Sequence, residues 1–144
     1  MEIRPYSESD EVDVIALWNR CGLLRPWNDP RKDIQRKLAV RPDLFLVGTI
    51  DGHVVATAMA GYEGHRGWIN YLAVCPDHRR KGLGRAIMQE AERRLRESGC
   101  PKINLQVRTG NLQVIEFYKS IGFELDDVVS LGKRLVQDET NEPE

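Results

Sequence analysis

Three shortages in the sequence each exclude a class of protein. The chain has only three cysteines, Cys21, Cys75 and Cys100, at no paired spacing, and its first residues contain no apolar signal region. We therefore expect a reduced, cytoplasmic protein. Its longest apolar runs, such as Leu44 to Val47, are far too short to cross a bilayer, so we expect no membrane association. A net charge of −1 leaves no general polyanion-binding surface, so we expect no nucleic-acid partner.

Familiar nucleotide and metal motifs are also missing. The chain contains no Gly-x-x-x-x-Gly-Lys-Ser/Thr run, which excludes a P-loop. The segment from Gly82 to Ile87 lacks the third glycine of a dinucleotide fingerprint, and the next strand ends in Val107-Arg108 without an acidic residue. Cys75-x-x-His78 has no second Cys/His pair at ligand spacing, so we expect no metal.

What the sequence does contain is a strand that leads into a glycine-containing helix start. Trp68 to Val74 is the strand, and the helix that follows carries an apolar stripe at every fourth residue: Leu83, Ile87, Ala91 and Leu95. Between them lie Arg79, Arg80, Lys81 and the glycines Gly82 and Gly84. Exposed backbone N–H groups, the helix dipole and three cations together make a cradle for phosphate. The alternative is a glycine-relaxed helix start with solvated arginines.

The remaining segments alternate between helix and strand. Helices are predicted from Ser7 to Asn19, from Asp29-Pro30 to Arg41-Pro42, and from Asn111 to Gly122. Strands are predicted at Ile3–Tyr6, Leu44–Ile50, His53–Tyr62, Lys102–Val107 and, twice more, within Phe123–Val136. Asp51-Gly52 is a hairpin signal. The strand after the long helix should run parallel to the Trp68–Val74 strand.

Two motifs in this order resemble those of the GNAT superfamily of N-acetyltransferases. The first is Arg79-x-x-Gly82-x-Gly84, and the second is the Asn111…Phe117-Tyr118-x-x-x-Gly122-Phe123 segment. The loop from Arg25 to Pro30 and the ending from Ser130 to Leu135 are similar to those of bacterial YpeA-type acetyltransferases. The resemblance implies an α/β fold of the α+β type, the GNAT fold. It has a mixed sheet of six to seven strands, about four helices, and parallel, splayed strands 4 and 5.

The resemblance also implies acetyl-CoA as cosubstrate and assigns residues to it. Unpaired backbone groups near Leu72 and Val74 would bind the pantetheine arm. The pyrophosphate would lie on backbone N–H groups of the cradle residues, which are Arg79, Arg80, Lys81, Gly82, Leu83 and Gly84. Asn111 would bond the pantetheine, and Tyr118 would act at the sulfur as general acid. The alternatives are that Asn111 only caps a helix and that Tyr118 is only a core residue.

On the acceptor side, the resemblance makes the loop between the first two helices a wall of the cleft. Trp27, Asn28 and Asp29 are assigned to the substrate, together with Asn70. Trp27 offers an apolar face, and the two polar side chains could hold an ammonium group. The alternative is that Asp29 caps a helix and Trp27 packs beneath it.

The general base that many family members carry early in the fourth strand is missing here. That region reads Trp68-Ile69-Asn70-Tyr71, with no carboxylate. Either a water chain takes the proton, or Glu63, His65 or Asp126 does. Without a strand carboxylate, an α-amine with a pKa near 8 is a better acceptor than a lysine near 10.4.

Taken together, these patterns predict an N-acetyltransferase that transfers acetyl from acetyl-CoA to a primary amine by direct attack in a ternary complex. Residues 1–136 would form one domain, residues 137–144 a disordered acidic tail, and two copies a homodimer. The alternatives are a non-catalytic acyl-CoA sensor of the same fold and a nucleic-acid-binding module that relies on Arg79 to Lys81.

Overall fold

The computed structural model describes residues 1–138, which form a mixed five-stranded sheet with helices on both faces. The strands are β1 (Glu2–Pro5), β2 (Phe45–Ile50), β3 (His53–Tyr62), β4 (Gly67–Val74) and β5 (Ile103–Asn104). The helices are α1 (Glu11–Arg20), α2 (Pro30–Leu38), α3 (Leu83–Glu97) and α4 (Leu112–Ser120). Strand order in the sheet follows the chain, and all pairs are antiparallel except β4 and β5. No helix within residues 1–138 combines the length and the apolar character that crossing a bilayer requires.

Helix starts follow the predicted caps. Before α1, the carboxylate of Asp10 accepts a hydrogen bond from the Ser7 amide at 2.8 Å and two from the Arg4 guanidinium, both at 2.8 Å. The Arg4 hydrogen bonds lower the pKa of Asp10 although the side chain is buried. At α2, Asp29 accepts from the Arg31 amide at 2.9 Å, with Pro30 in the first helical position.

Two apolar clusters lie on the two faces of the sheet. On one face, α1 and α2 cover a cluster that contains Trp18, Ile34 and Phe45. On the other face, α3 and α4 cover a second cluster, to which β3 contributes three small buried side chains, Ala56, Ala58 and Ala60, and the partly buried Tyr62. The alanines let α3 approach the sheet closely, and Ile87, Ala91 and Leu95 of the predicted stripe pack there. Leu83, the first residue of that stripe, packs against the cluster on the α1/α2 face instead.

β4 is interrupted by a β-bulge. From Asn70 to Ala73 it advances three residues while β3 advances two, and Tyr71 inside this step has φ +51°. Ile69 and Leu72 both pack on the α3 face although they are three residues apart. Both residues between them, Asn70 and Tyr71, are therefore placed on the α1/α2 face.

A chain of buried contacts holds this bulge. The indole N–H of Trp18 donates to the Thr57 hydroxyl at 2.9 Å, and that hydroxyl donates to the Tyr71 carbonyl oxygen at 2.8 Å. The Tyr71 ring stacks on Trp18 with a centroid distance of 3.8 Å. Trp18 and Thr57 are fully buried, so every polar group in this chain needs its partner.

The C-terminal part corrects the sequence prediction in two respects. The two strands predicted within Phe123–Val136 are absent from the described residues, so the sheet has five strands rather than six or seven, and β5 itself is only two residues long. Strands need a partner edge, and β5 offers a short one. Six large apolar side chains of this stretch are exposed instead: Leu125, Val128, Val129, Leu131, Leu135 and Val136.

The predicted tail begins with an ordered contact. Asp138 is buried, accepts the Asp29 amide at 2.9 Å and pairs with Arg36 at 2.6 Å. The guanidinium and then the amide lower the pKa of Asp138 to about 2. The rest of the predicted tail, residues 139–144, lies outside the described residues.

The Thr57 hydroxyl should be worth more to stability than an ordinary buried hydroxyl. Thr57→Val leaves the Trp18 indole N–H and the Tyr71 carbonyl without partners, so the free energy of unfolding should fall by about 2 kcal/mol or more. Urea unfolding followed by tryptophan fluorescence measures it. Thr49→Val is the matched control, because Thr49 is also buried but its hydroxyl makes no hydrogen bond within residues 1–138. Equal losses in both variants would contradict the role of this chain of contacts.

Candidate functional site

The predicted cradle lies where β4 leads into α3. α3 begins at Leu83 with Gly82 as its cap residue, and no side chain caps this end. Among residues 1–138, the amides of Gly82, Leu83 and Gly84 donate to no other group of the chain. The first turn of α3 contains no acidic residue, and the side chains that precede the helix, Arg79, Arg80 and Lys81, are all exposed. Free N–H groups, a positive dipole end and three cations therefore meet at one place.

The two glycines of the cradle have different physical roles. Gly82 has φ +77°, and a Cβ there would meet no atom within 4 Å. Gly84 instead has a packing role, because a Cβ there would approach the Phe117 ring to 3.2 Å. The sequence motif assigned both glycines to phosphate alone; the structure gives Gly84 a second role, the contact between α3 and α4.

One polar atom beside the cradle lacks a partner. His78 ends the short turn Pro76–His78 that precedes Arg79, and its Nδ1 is buried without a hydrogen-bond partner among residues 1–138. Buried polar atoms are normally satisfied by protein groups, ordered water or a ligand, so this nitrogen is available to a molecule bound at the cradle.

The edge of β4 is open where it approaches the cradle. β5 pairs with β4 only at Gly67 and Trp68, so Leu72 and Val74 have no strand partner on that side within the described residues. The Val74 carbonyl accepts only a weak hydrogen bond from the Cys21 thiol, at 3.4 Å. An extended amide chain could lie along this edge as an added strand would. The predicted splay of the two parallel strands is thus present.

The two residues predicted on α4 occupy different environments. Asn111 is exposed and caps α4, with its Oδ1 accepting the Val114 amide at 3.4 Å. Tyr118 is buried, with edge contacts to Phe117 and Phe123. Burial raises the pKa of Tyr118 to about 12.

Comparison with known sequences decides the family. A sequence model described as the acetyltransferase (GNAT) family matches residues 12–123. The chain belongs to the GNAT family of acetyltransferases. The resemblance inferred from the two motifs is therefore confirmed, and so is the assignment of the protein as an acyltransferase enzyme.

Individual relatives support the assignment to this family over almost the whole chain. An acetyltransferase of Sodalis glossinidius is 51% identical over 140 residues, 96% of this chain and 99% of the relative. One of Pectobacterium atrosepticum is 50% identical over 138 residues, 96% of this chain and 98% of the relative. The crystal structure of a ribosomal-protein-alanine N-acetyltransferase from Brucella melitensis superposes with a TM-score of 0.71 at 28% identity, covering 86% of this chain and 85% of that one.

The GNAT family uses acetyl-CoA, and the residues present here fit it. The cradle offers free N–H groups and cations for a pyrophosphate, the open β4 edge offers unpaired backbone groups, and His78 offers a buried polar atom without a partner. Among residues 1–138, no cluster of three His, Cys, Asp or Glu side chains is placed to hold a metal ion.

The loop from Trp27 to Asp29, which the sequence assigned to the acceptor, is tied to the C-terminal segment. Trp27 is 41% exposed, and its carbonyl accepts from the Arg134 guanidinium at 3.3 Å, as does the Asn28 side-chain oxygen. Asp29 caps α2 and donates its amide to Asp138. Capping is thus present at Asp29, and Trp27 is among the exposed large apolar side chains.

One groove lies away from the cradle. It has a volume of about 990 Å³ and lies between β5, α4 and residues 123–130, with Tyr118 and Val107 in its wall. No residue from Arg79 to Gly84 lines it. The cradle nevertheless stays the candidate site for phosphate, because it combines free N–H groups with exposed cations.

Sequence reasoning missed the residues that connect the start of α2 to the sheet. The phenol of Tyr71 donates to the Asp33 carboxylate on α2 at 2.6 Å, one turn after Asp29. The apolar run from Tyr71 to Val74 is typical of a buried strand and gives no sign of a bulge. Asp33 itself reads as an ordinary charged position on a polar helix.

Gly82 should control acetyl-CoA affinity, and Gly99 offers a matched control. Gly99 follows the other end of α3, also has positive φ (+88°), and would likewise have no atom within 4 Å of an added Cβ. Valine should strain both positions equally, but only Gly82→Val should obstruct the pyrophosphate, at a cost of about 2 kcal/mol or more in binding. Calorimetry measures the affinity and circular dichroism the fold. Equal acetyl-CoA affinity in two folded variants would show that the cradle does not bind the cofactor.

Proposed function

We propose that the protein transfers an acetyl group from acetyl-CoA to a primary amine by direct attack in a ternary complex. The observation that carries the proposal is the continuity of the open β4 edge with the cradle. A pyrophosphate on the amides of Gly82 to Gly84 would direct an extended pantetheine arm back along Val74 and Leu72. The four residues from Tyr71 to Val74 span roughly 13 Å of strand, at about 3.3 Å per residue. An arm of about that length would place the thioester near the bulge at Tyr71.

The reaction proposed here forms one bond and breaks one. The neutral amine nitrogen attacks the acetyl carbonyl carbon, an amide forms, the carbon–sulfur bond breaks, and CoA leaves as thiolate. The amine proton passes to solvent, and the thiolate takes up a proton.

In the binary complex with acetyl-CoA, Arg79, Arg80 and Lys81 would reach the outer phosphates, and the Asn111 side-chain amide would bond the pantetheine.

The proton acceptor is inferred to be water. Glu63 and His65 lie in the turn before β4, where the Glu63 carboxylate accepts the Arg66 amide. Asp126 is bound to Lys102 and to Asn104, beside the start of β5. All three candidates therefore lie at the end of β4 away from the cradle. An acceptor amine that deprotonates readily needs no strong base, which supports an α-amine.

Tyr118 is proposed to assist departure of the thiolate. Its raised pKa keeps the phenol protonated up to about pH 12, so it remains a hydrogen-bond donor at every working pH. The same shift makes complete proton transfer to a thiolate, whose conjugate acid has a pKa near 8.5, less favourable than for an ordinary tyrosine. A hydrogen bond to the developing negative charge on sulfur is therefore a better role than full general-acid transfer.

Tyr118→Phe should lower kcat by about 10²-fold while the Kd for acetyl-CoA stays nearly constant, because the bond is made to charge that develops only in the transition state. Steady-state kinetics and calorimetry measure the two quantities. In the wild type, kcat should not fall between pH 8 and pH 10 through ionisation of the Tyr118 phenol, because the pKa of that phenol is about 12. A variant with wild-type turnover would leave Tyr118 as a core residue.

The acceptor is proposed to be an α-amine on a small molecule or peptide, held between Asn70 and the Trp27–Asp29 loop. The relative from Brucella is named a ribosomal-protein-alanine N-acetyltransferase, and the amine of alanine is an α-amine. Exposed Trp27 offers a flat face to such a ligand, and Asn28 and Asp29 offer acceptor oxygens.

Trp27→Ala should raise KM for the amine without changing KM for acetyl-CoA, because Trp27 would contact only the acceptor. Kinetics with both substrates varied in turn provide the measurement. Trp68→Ala is the control, since Trp68 is exposed to a similar extent, 38%, near the other end of β4. A parallel rise in both constants would place Trp27 in the scaffold.

A panel of amines tests the proposed function as a whole. Acetyl-CoA consumption with free thiol release in the presence of peptide α-amines, and not with lysine side-chain amines, is the expected result. Binding of acetyl-CoA without consumption by any amine would favour the acyl-CoA sensor. Salt-dependent DNA binding that acetyl-CoA does not affect would favour the nucleic-acid module.

A homodimer is proposed on one observation. Six large apolar side chains between Leu125 and Val136 are exposed within one segment of the chain, and exposed apolar patches mark interaction sites. A second copy that covers this segment would remove it from water.

A further inference from the structure

α2 depends on few contacts for its position. Ile34 is its only buried side chain, and six of its nine residues are charged or amide-bearing. The ion pair between Arg31 and Glu11, at 3.6 Å, is exposed and contributes little. An amphipathic helix with one buried residue has little hydrophobic surface to fix its position. Its polar ties therefore matter more than in α1 or α3.

One of these ties joins α2 directly to the bulge. The Tyr71 phenol donates to Asp33 Oδ2 at 2.6 Å, a short bond to an ionised acceptor, and Arg36 holds the other carboxylate oxygen at 3.2 Å. The Asp33 side chain is 23% exposed, so the bond is partly shielded from water.

The Tyr71 end of this bond is unusually rigid. Its backbone has φ +51°, its carbonyl is held by Thr57, and its ring is stacked on Trp18. Burial first, and then the hydrogen bond to Asp33, raises the pKa of Tyr71 well above its usual value, so the phenol stays a donor. A rigid donor on the sheet thus meets an acceptor on a helix that is held mainly by polar contacts, among them the Arg36–Asp138 ion pair.

We propose that Tyr71 and Asp33 are positioning residues for the acceptor. Their hydrogen bond fixes α2, and with it the Trp27–Asp29 loop at its start, at a set distance from the bulge in β4. The inference rests on the proposed function, because the amine would enter between this loop and Asn70. Neither residue transfers a proton; the pair sets the width of the gap in which a primary amine meets the acetyl group.

If the Tyr71–Asp33 hydrogen bond only stabilised the fold, its removal would have different effects. Losing it would lower the free energy of unfolding and would reduce acetyl-CoA binding and amine binding together. A positioning bond affects the acceptor side alone, because the cradle belongs to β4 and α3, while α2 contributes no residue to it.

The kinetic test uses three variants of the Tyr71–Asp33 pair, one control variant, and the most active amine of the panel. Tyr71→Phe keeps the ring on Trp18 and removes only the donor, and Asp33→Leu removes the acceptor. Each should raise KM for the amine about tenfold, as expected for a lost bond to a charged group, with kcat within about threefold and Kd for acetyl-CoA unchanged. Asp33→Asn retains an oxygen that can accept the phenol hydrogen, so its KM should stay within about threefold of the wild type.

Tyr62→Phe is the matched control. It also removes one phenol donor from the same sheet, where Tyr62 bonds the carbonyls of Gly64 and Gly99 at 3.1 and 3.2 Å. It should leave KM for the amine unchanged. A rise in KM equal to that of Tyr71→Phe, or equal losses in acetyl-CoA and amine binding in Tyr71→Phe, would overturn the proposal.

A second measurement does not depend on activity. Hydrogen exchange should become at least threefold faster in Tyr71→Phe for the amides of α2, residues 30–38, but not for α1 or in Tyr62→Phe. Unchanged exchange in α2 would overturn the positioning role whatever the kinetics show. If the wild type acetylates no amine while exchange responds as expected, the proposed function fails and the tie between α2 and the bulge stands.

Discussion

The bond from the Thr57 hydroxyl to the Tyr71 carbonyl is the contact on which the arrangement of β4 depends. A non-glycine residue at φ +51° costs on the order of 1 kcal/mol, so the bulge persists only because its surroundings hold it. Thr57 and the stacked Trp18 ring provide that support from the fully buried α1 face. The strain is thereby offset by contacts that come from two separate elements, β3 and α1.

The bulge has two consequences for function. It changes which face each side chain occupies, so Leu72 packs under α3 while Asn70 and Tyr71 together reach the α1/α2 face. Past this point β4 has no partner in β5, whose pairing ends at Trp68. A single local irregularity therefore lies beside both the open edge proposed for acetyl-CoA and the side chains proposed for the acceptor.

Local patterns predicted most of the core. Three of the four predicted stripe residues of α3 are buried together, and the Asp51-Gly52 hairpin and the Asp29-Pro30 helix start are present, because each depends on contacts within a few residues. The strands predicted within Phe123–Val136 are not. Strand propensity there was high, but a strand forms only against a free partner edge, which is a non-local condition.

Spacing along the chain was enough to predict the family, the parallel crossover after α3 and the glycine-containing cradle, since residues close in sequence carry these motifs. Three-dimensional packing was needed to show that β1 lies beside β2, that Gly84 packs against Phe117, and that Tyr71 meets Asp33. The last pair is separated by 38 residues, and a one-residue bulge sets its geometry. Such a contact depends on the register of β4 and the placement of α2, neither of which a linear pattern encodes.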